Sequence, residues 1–156
     1  MPRITPFLWF DNQAEEAARF YTSVFKNSKI THIARYLEGS PGPVGTVMTV
    51  GFELDGQPFT ALNGGPLFKF TEATSFVVHC DTQEEVDEFW SKLSAGGSES
   101  QCGWLKDKFG LSWQIVPTLL LEMLKDKDVE KSKRVTQAML RMKKIDIKTL
   151  KQAYAG

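Results

Sequence analysis

Two stretches of the chain carry the same hydrophobic pattern. Ala17, Phe20, Tyr21 and Val24 fall at i, i+3, i+4 and i+7, and Val86, Phe89, Trp90 and Leu93 repeat that spacing further along. This is the period of a helix that buries one stripe against a neighbour. Each stripe follows a similar phrase, "DNQAEEAARFY" from Asp11 and "DTQEEVDEFW" from Asp81. Asn12 and Thr82 are expected as N-caps, because Glu15 and Glu85 stand three residues later at capping-box spacing.

Around the two helices the pattern changes to short apolar segments bounded by turn residues. "ITPFLWF" and "TSFVVHCD" precede the helices and read as strands. After the first helix come "KITHIARYL", "TVMTVGFEL" and "PFTALN", with Asp55-Gly56 as a hairpin signal. After the second come "ESQCGW", "LKDKF" and "LSWQIVP", with Gly103 and Gly110 marking turns. Each half therefore reads as strand, helix and three strands, a βαβββ module present twice. The predicted class is α+β, with modules at 3–65 and 73–117 inside a 1–117 domain. Residues 118–156 form a helical extension built from "TLLLEML", "DVEKSKRVTQAMLRMKK" and "IDIKTLKQAYAG". In it Val135, Ala138, Met139 and Met142 make one stripe, Asp146 is the expected N-cap, and Ile145 is placed to staple onto Leu150. "GSPGPVG", Gly39 to Gly45, lies between two strands and reads as a surface loop, not a phosphate cradle.

Composition narrows the class. With 156 residues, 42% hydrophobic and 24% charged, the chain is an ordinary globular one. No apolar run approaches the roughly 20 residues that span a bilayer, so no membrane association is expected. Cys80 and Cys102 show no CxxC spacing, which suits reduced thiols and a cytoplasmic protein. The zero net charge is unevenly spread: residues 125–156 hold ten Lys/Arg against four Asp/Glu. A basic tail can bind nucleic acid, but no aromatic interleaving or reading motif accompanies it, so nucleic acid is not the expected partner.

"ITPFLWFDNQAEEAARFYTSVF", "FTALNGG" and "CGWLKDKFGLSWQIVP" resemble the PhnB-like branch of the vicinal oxygen chelate superfamily. That superfamily comprises glyoxalases, bleomycin-resistance proteins and extradiol dioxygenases, and the branch also carries a 3-demethylubiquinone 3-methyltransferase label. The resemblance implies two curved half-barrel sheets with helices on the convex face and a ligand cavity in the concave one. It implies pairing of modules, within a chain or across a homodimer. It also places the superfamily's metal ligands at Thr5, Ala61, Ser75 and Gln114. None of these is a His or a carboxylate, so no metal and no cofactor are expected. The methyltransferase label would need a Gly-rich strand-to-helix turn followed by an acidic residue for a ribose, and the sequence has none.

Strand alternation then assigns a pocket face. Phe7 and Trp9 join Thr5; Phe59 and Asn63 join Ala61; Val77 and His79 join Ser75; Ser112 and Val116 join Gln114. Leu8, Phe10, Leu62, Phe76, Val78, Cys80, Trp113 and Ile115 are left for the helix face. The expected ligand-binding set is Phe7, Trp9, Phe59, Asn63, Ser75, His79 and Gln114, an aromatic basin with a few hydrogen-bonding groups. His79 is the candidate acid or base, with a hydrogen-bonded structural role as the alternative. His32 lies in an exposed-looking strand and is left out of the set. Trp104 reads as a lid or a core residue, Asp107 as the start of a hairpin turn, and Cys102 lacks an evident partner base. The expected function is binding of a small organic molecule. The alternatives are a metal-dependent lyase, isomerase or dioxygenase, and partner or nucleic-acid binding through the basic tail.

Overall fold

The computed structural model describes residues 2–156. The chain divides into two compact units, the first ending at Phe70 and the second running from Thr71 to Gly156.

The first unit contains β1 (Phe7–Phe10), α1 (Ala14–Val24), β2 (Lys29–Arg35), β3 (Val47–Leu54) and β4 (Gln57–Asn63). Its sheet has the order β1-β4-β3-β2, with β1 parallel to β4 and the other pairs antiparallel. Asp55 and Gly56 both take positive φ, 48° and 83°, in the two-residue turn that sets Leu54 opposite Gln57. That turn places Phe52 beside Phe59, whose rings stack at 5.4 Å, and Phe52 lies 6.1 Å from Tyr21 of α1. Ala17, Ala18, Tyr21 and Val24 of α1 are buried on this aromatic floor, with Phe20 half-buried at its margin.

The second unit repeats the topology with β5 (Ser75–Cys80), α2 (Gln83–Ser94), β6 (Ser98–Glu99), β7 (Trp104–Lys106) and β8 (Ser112–Pro117), in the order β5-β8-β7-β6. The α2 cap forms as expected: Thr82 Oγ1 accepts the Glu85 N–H at 3.2 Å, while the Glu85 carboxylate accepts the Asp81 N–H at 2.9 Å. The α1 cap does not. Its N-cap is Gln13, with no side-chain cap, and Asn63 of β4 accepts the Ala14 N–H at 2.8 Å instead. Glu15 is drawn to Arg19, one turn on, at 2.8 Å.

"ESQCGW" is not a full strand. Pairing stops after Glu99, and Cys102, with φ 60°, lies in the turn that leads into β7. The backbone N–H groups of Cys102 and Gly103 donate to Met142 and Lys143 carbonyls, each at 2.8 Å. They serve the C-terminal segment and so are not available to a sheet. Asp107 does start the following turn. Only 2% exposed, its carboxylate accepts the N–H groups of Phe109 and Leu111 and the Trp113 indole N–H, at 2.8, 3.1 and 2.9 Å. Three donors compensate its burial.

Helices α3 (Thr118–Leu124), α4 (Val129–Leu140) and α5 (Ile147–Ala155) complete the second unit. Asp128 and Asp146 cap α4 and α5, each accepting two backbone N–H groups. Ile145 and Leu150 share one buried cluster with Val116, Leu120, Met123 and Val135, as the staple requires. Gln83 of α2 holds the start of α5 with both ends of its amide, donating to the Ile145 carbonyl at 3.0 Å and accepting the Ile147 N–H at 2.7 Å. Lys144 pairs with Asp87 beside it at 2.8 Å. Among the described residues no helix is long and apolar enough to cross a membrane.

Candidate functional site

Each sheet has one face against its first helix, α1 or α2, and an opposite face. That opposite face is open in the first unit, and in the second it is covered at Val116 by residues of α3, α4 and α5. Pairing register decides which residues lie on which. In the first unit Phe7 is paired with Thr60 and Trp9 with Leu62 across the parallel β1–β4 pair. Laterally paired residues share a face. The open face therefore carries Phe7, Trp9, Thr60 and Leu62. Phe59, Ala61 and Asn63 lie on the helix face with Leu8 and Phe10, which corrects their expected place in the pocket, and Leu62 moves the opposite way. The cause is the two-residue Asp55-Gly56 turn, which fixes Phe59 opposite Phe52 beneath Tyr21. Asn63 also has a different task. Besides receiving the Ala14 N–H, it donates to the Val47 carbonyl at 3.1 Å, tying α1 and β3 to the end of β4.

Phe7 is 59% exposed on this open face. Trp9 is half-buried: its indole N–H donates to the Gly65 carbonyl at 2.9 Å, and Phe68 meets its ring edge-on at 4.9 Å. Phe7, Trp9 and Phe68 thus offer flat apolar area on a sheet.

In the second unit the expected alternation holds. Ser75, Val77 and His79 share the face opposite α2 with Ser112, Gln114 and Val116. Gln114 donates its amide to Ser75 Oγ at 2.9 Å, so two of the anticipated residues are brought together. His79 and Val77 are exposed, and Trp104, half-buried, lies beside Gln114 on the same face. Ser112 Oγ is buried without a hydrogen-bond partner. Beneath α2, Cys80 is wholly enclosed, and burial, with smaller contributions from the charges of Glu85 and Asp81, pushes its thiol up to about 12. That thiol is inert as a nucleophile.

A groove of about 540 Å³ runs along the first unit between the start of α1 and the loop from Pro41 to Val47. Tyr36 anchors it by donating its hydroxyl to the Asn63 carbonyl. Asp11 and Glu15 on its wall give it the wrong sign for a phosphate.

The positions that the resemblance gives to the metal ligands do not fit a metal here. Ala61 has no donor atom and is buried on the helix face of its sheet; Thr5 lies exposed before β1; Gln114 donates its amide to Ser75 Oγ, and the neutral oxygens of these side chains hold transition metals weakly. Among the described residues no group of three His, Cys, Asp or Glu side chains is arranged to hold a metal ion.

Two four-stranded mixed sheets of one topology, each with a helix on one face, define the glyoxalase/bleomycin-resistance fold of the vicinal oxygen chelate superfamily. Residues 2–116 match the model of the family described as 3-demethylubiquinone-9 3-methyltransferase, and the chain belongs to that family. It is 41% identical to the PhnB protein from Bacillus cereus, with 74% of this chain and 99% of that chain covered and a TM-score of 0.68. Protein PA1353 from Pseudomonas aeruginosa has the same fold at 19% identity, with 75% and 98% covered and a TM-score of 0.62. So has the fosfomycin resistance protein FosX from Listeria monocytogenes, at 17% identity, 80% and 98% covered, and a TM-score of 0.58. No curated protein matches the sequence.

Proposed function

We propose that this protein binds a small, flat, mostly apolar organic molecule and acts as a binding or sequestering protein, without the superfamily's metal. The observation that carries this reading is exposed apolar area on the sheet face away from the first helix in each unit taken by itself: Phe7 at 59%, on the face that also carries the half-buried Trp9, in the first, and Val77 at 43%, on the face that carries the Ser75–Gln114 pair, in the second. Aromatic area with a few orienting polar groups is the composition of a small-molecule site. The fold's occurrence in a fosfomycin resistance protein is consistent with small-molecule binding. Methyl transfer gains no support from the residues. The turn from β1 into α1 is Asp11-Asn12-Gln13, without the glycines that let a nucleotide cofactor approach a helix start.

The same exposed area, with Leu67 at 75% and Phe68 at 58%, supports a homodimer as the working state. The free cysteines, Cys80 and Cys102, suit the reducing cytoplasm. A thermal-shift screen of flat aromatic compounds, repeated on Phe7→Ser, tests the binding reading. Compounds that stabilise the wild type and lose their effect in the variant are expected; a screen without hits would sink the proposal. Sedimentation at micromolar concentration showing only a 17.6 kDa species would remove the dimer.

A further inference from the structure

The edge strand β2 changes register at Thr31. Ile30 is paired with Phe52, but His32, not Thr31, is paired with Gly51, so one extra residue is inserted. A bulge of this kind re-aims the side chains that follow it. In unbroken register His32 would oppose Val50, which is fully buried on the helix face. The bulge instead puts His32 on the open face with Gly51. The glycine makes room for it. A Cβ on Gly51 would stand 2.3 Å from the His32 ring atoms Cε1 and Nδ1 and 2.7 Å from Thr31 Oγ1. Both side chains therefore converge over one backbone position that has no side chain of its own, with Thr31 Oγ1 and His32 Nδ1 3.4 Å apart.

This corner shares a row with the aromatic platform. Gly51 is paired with Thr60, and Thr60 with Phe7, so the open face reads His32, Gly51, Thr60, Phe7 from β2 to β1. At roughly 4.8 Å per strand, the imidazole over β3 lies about 10 Å from β1, the length of a two-ring aromatic acid. With the Thr31 hydroxyl donating to Nδ1, the neutral ring carries its proton on Nε2 and offers it as a donor; the imidazolium offers the same donor with a charge. Of the charged residues on this face, Glu53 and Lys29 oppose one another across β2 and β3 and offset each other, while Arg35, paired with Val47 at the far end of β2, donates to the Gly45 carbonyl at 3.1 Å.

We infer that Thr31, His32 and Gly51 form the polar end of the ligand site, reading an acceptor oxygen, such as a carboxylate, on a flat organic acid whose rings lie on Phe7. This rests on the proposal that the open face binds a small organic molecule. The probes are 2-naphthoate and its neutral counterpart 2-methylnaphthalene, followed through the imidazole Cε1–H and Phe7 ring signals in carbon-edited NMR. Saturable shifts of both His32 and Phe7 with 2-naphthoate are expected. Its affinity should fall about tenfold, the loss of one charge-assisted hydrogen bond, in His32→Gln and in Gly51→Ala, while 2-methylnaphthalene binds all three proteins alike. Circular dichroism would confirm that both variants are folded. If 2-naphthoate shifts Phe7 but binds both variants as it binds the wild type, the corner is overturned and small-molecule binding stands. If neither compound perturbs Phe7 or Trp9, both readings fall.

Discussion

The side-chain oxygen of Asn63, the last residue of β4, accepts the backbone N–H of Ala14, the first residue of α1, at 2.8 Å. A helix start needs such acceptors, and this one comes from a strand 49 residues away because Gln13 caps nothing. The same amide donates to the Val47 carbonyl, so one side chain joins three elements. Asn63→Ala is expected to lower the stability of the first unit by about 1–3 kcal/mol, the cost of leaving buried partners unmatched. Asn63→Asp keeps the acceptor but sets an oxygen against the Val47 carbonyl, and should not restore stability. Urea denaturation checks both, and a ligand effect without a stability effect would contradict the structural role.

The second unit was more legible in the sequence than the first, for a physical reason. In "SFVVHC" and "SWQIVP" the residues facing α2 are uniformly apolar while the other face carries Ser, His and Gln, so alternation separates them. In "FTALN" neither alternate set is polar enough to decide, and the Asp55-Gly56 turn, not the pattern, settles the register. The bulge at Thr31 is harder still, since an inserted residue leaves no mark on composition. Asn63 reads as a pocket residue from alternation alone, because its partners lie in α1 and β3, which spacing along one strand cannot reveal.

Acid should loosen the C-terminal helices before it unfolds the sheets. The ammonium of Lys144 and then the amide of Gln83 hold the Asp87 carboxyl below its usual range, and the Tyr154 hydroxyl, followed by the Asp128 N–H, does so for Asp126. A carboxyl lowered in the folded state stabilises it above the unfolded pKa, and that contribution is lost as pH falls through the folded pKa. Both groups are solvent-exposed, so the effect is small and salt-sensitive. Hydrogen exchange of α5 amides is expected to quicken, after correction for intrinsic rates, as pH falls below the ordinary carboxylate range. Asp87→Asn with Asp126→Asn should flatten that dependence. An unchanged profile in the double variant would show that these pairs do not hold the helices.

The two thiols should differ sharply in reactivity. Cys80 is fully enclosed with its thiol raised to about 12, whereas Cys102 lies half-buried in the turn before β7. Native protein treated with a chromogenic disulfide at mildly alkaline pH is expected to release one equivalent, and denatured protein two. Cys102→Ser should abolish the native reaction. A native Cys102→Ser protein that still reacts promptly would mean that the sheet above Cys80 opens readily.

Phe59 and Phe7 provide a direct test of which face meets a ligand. Phe59 is 7% exposed and stacks on Phe52 beneath Tyr21, whereas Phe7 is 59% exposed on the opposite face. Truncating a packed core aromatic costs roughly 3–5 kcal/mol, because the lost burial is joined by a cavity that neighbours fill only in part. Phe59→Ala should therefore lower the unfolding midpoint steeply, and the residual folded protein should bind an aromatic probe as the wild type does. Phe7→Ala should leave the midpoint nearly unchanged, since its ring loses little burial, yet weaken the same probe through lost stacking. That stacking contributes about 0.5–1.5 kcal/mol beyond area, roughly twofold to twelvefold in affinity. Calorimetric unfolding and probe titration on both variants separate the outcomes. If Phe59→Ala proved stable and lost the probe, the aromatic floor beneath α1 would have to be the binding surface, and the open face would be left without a role in binding.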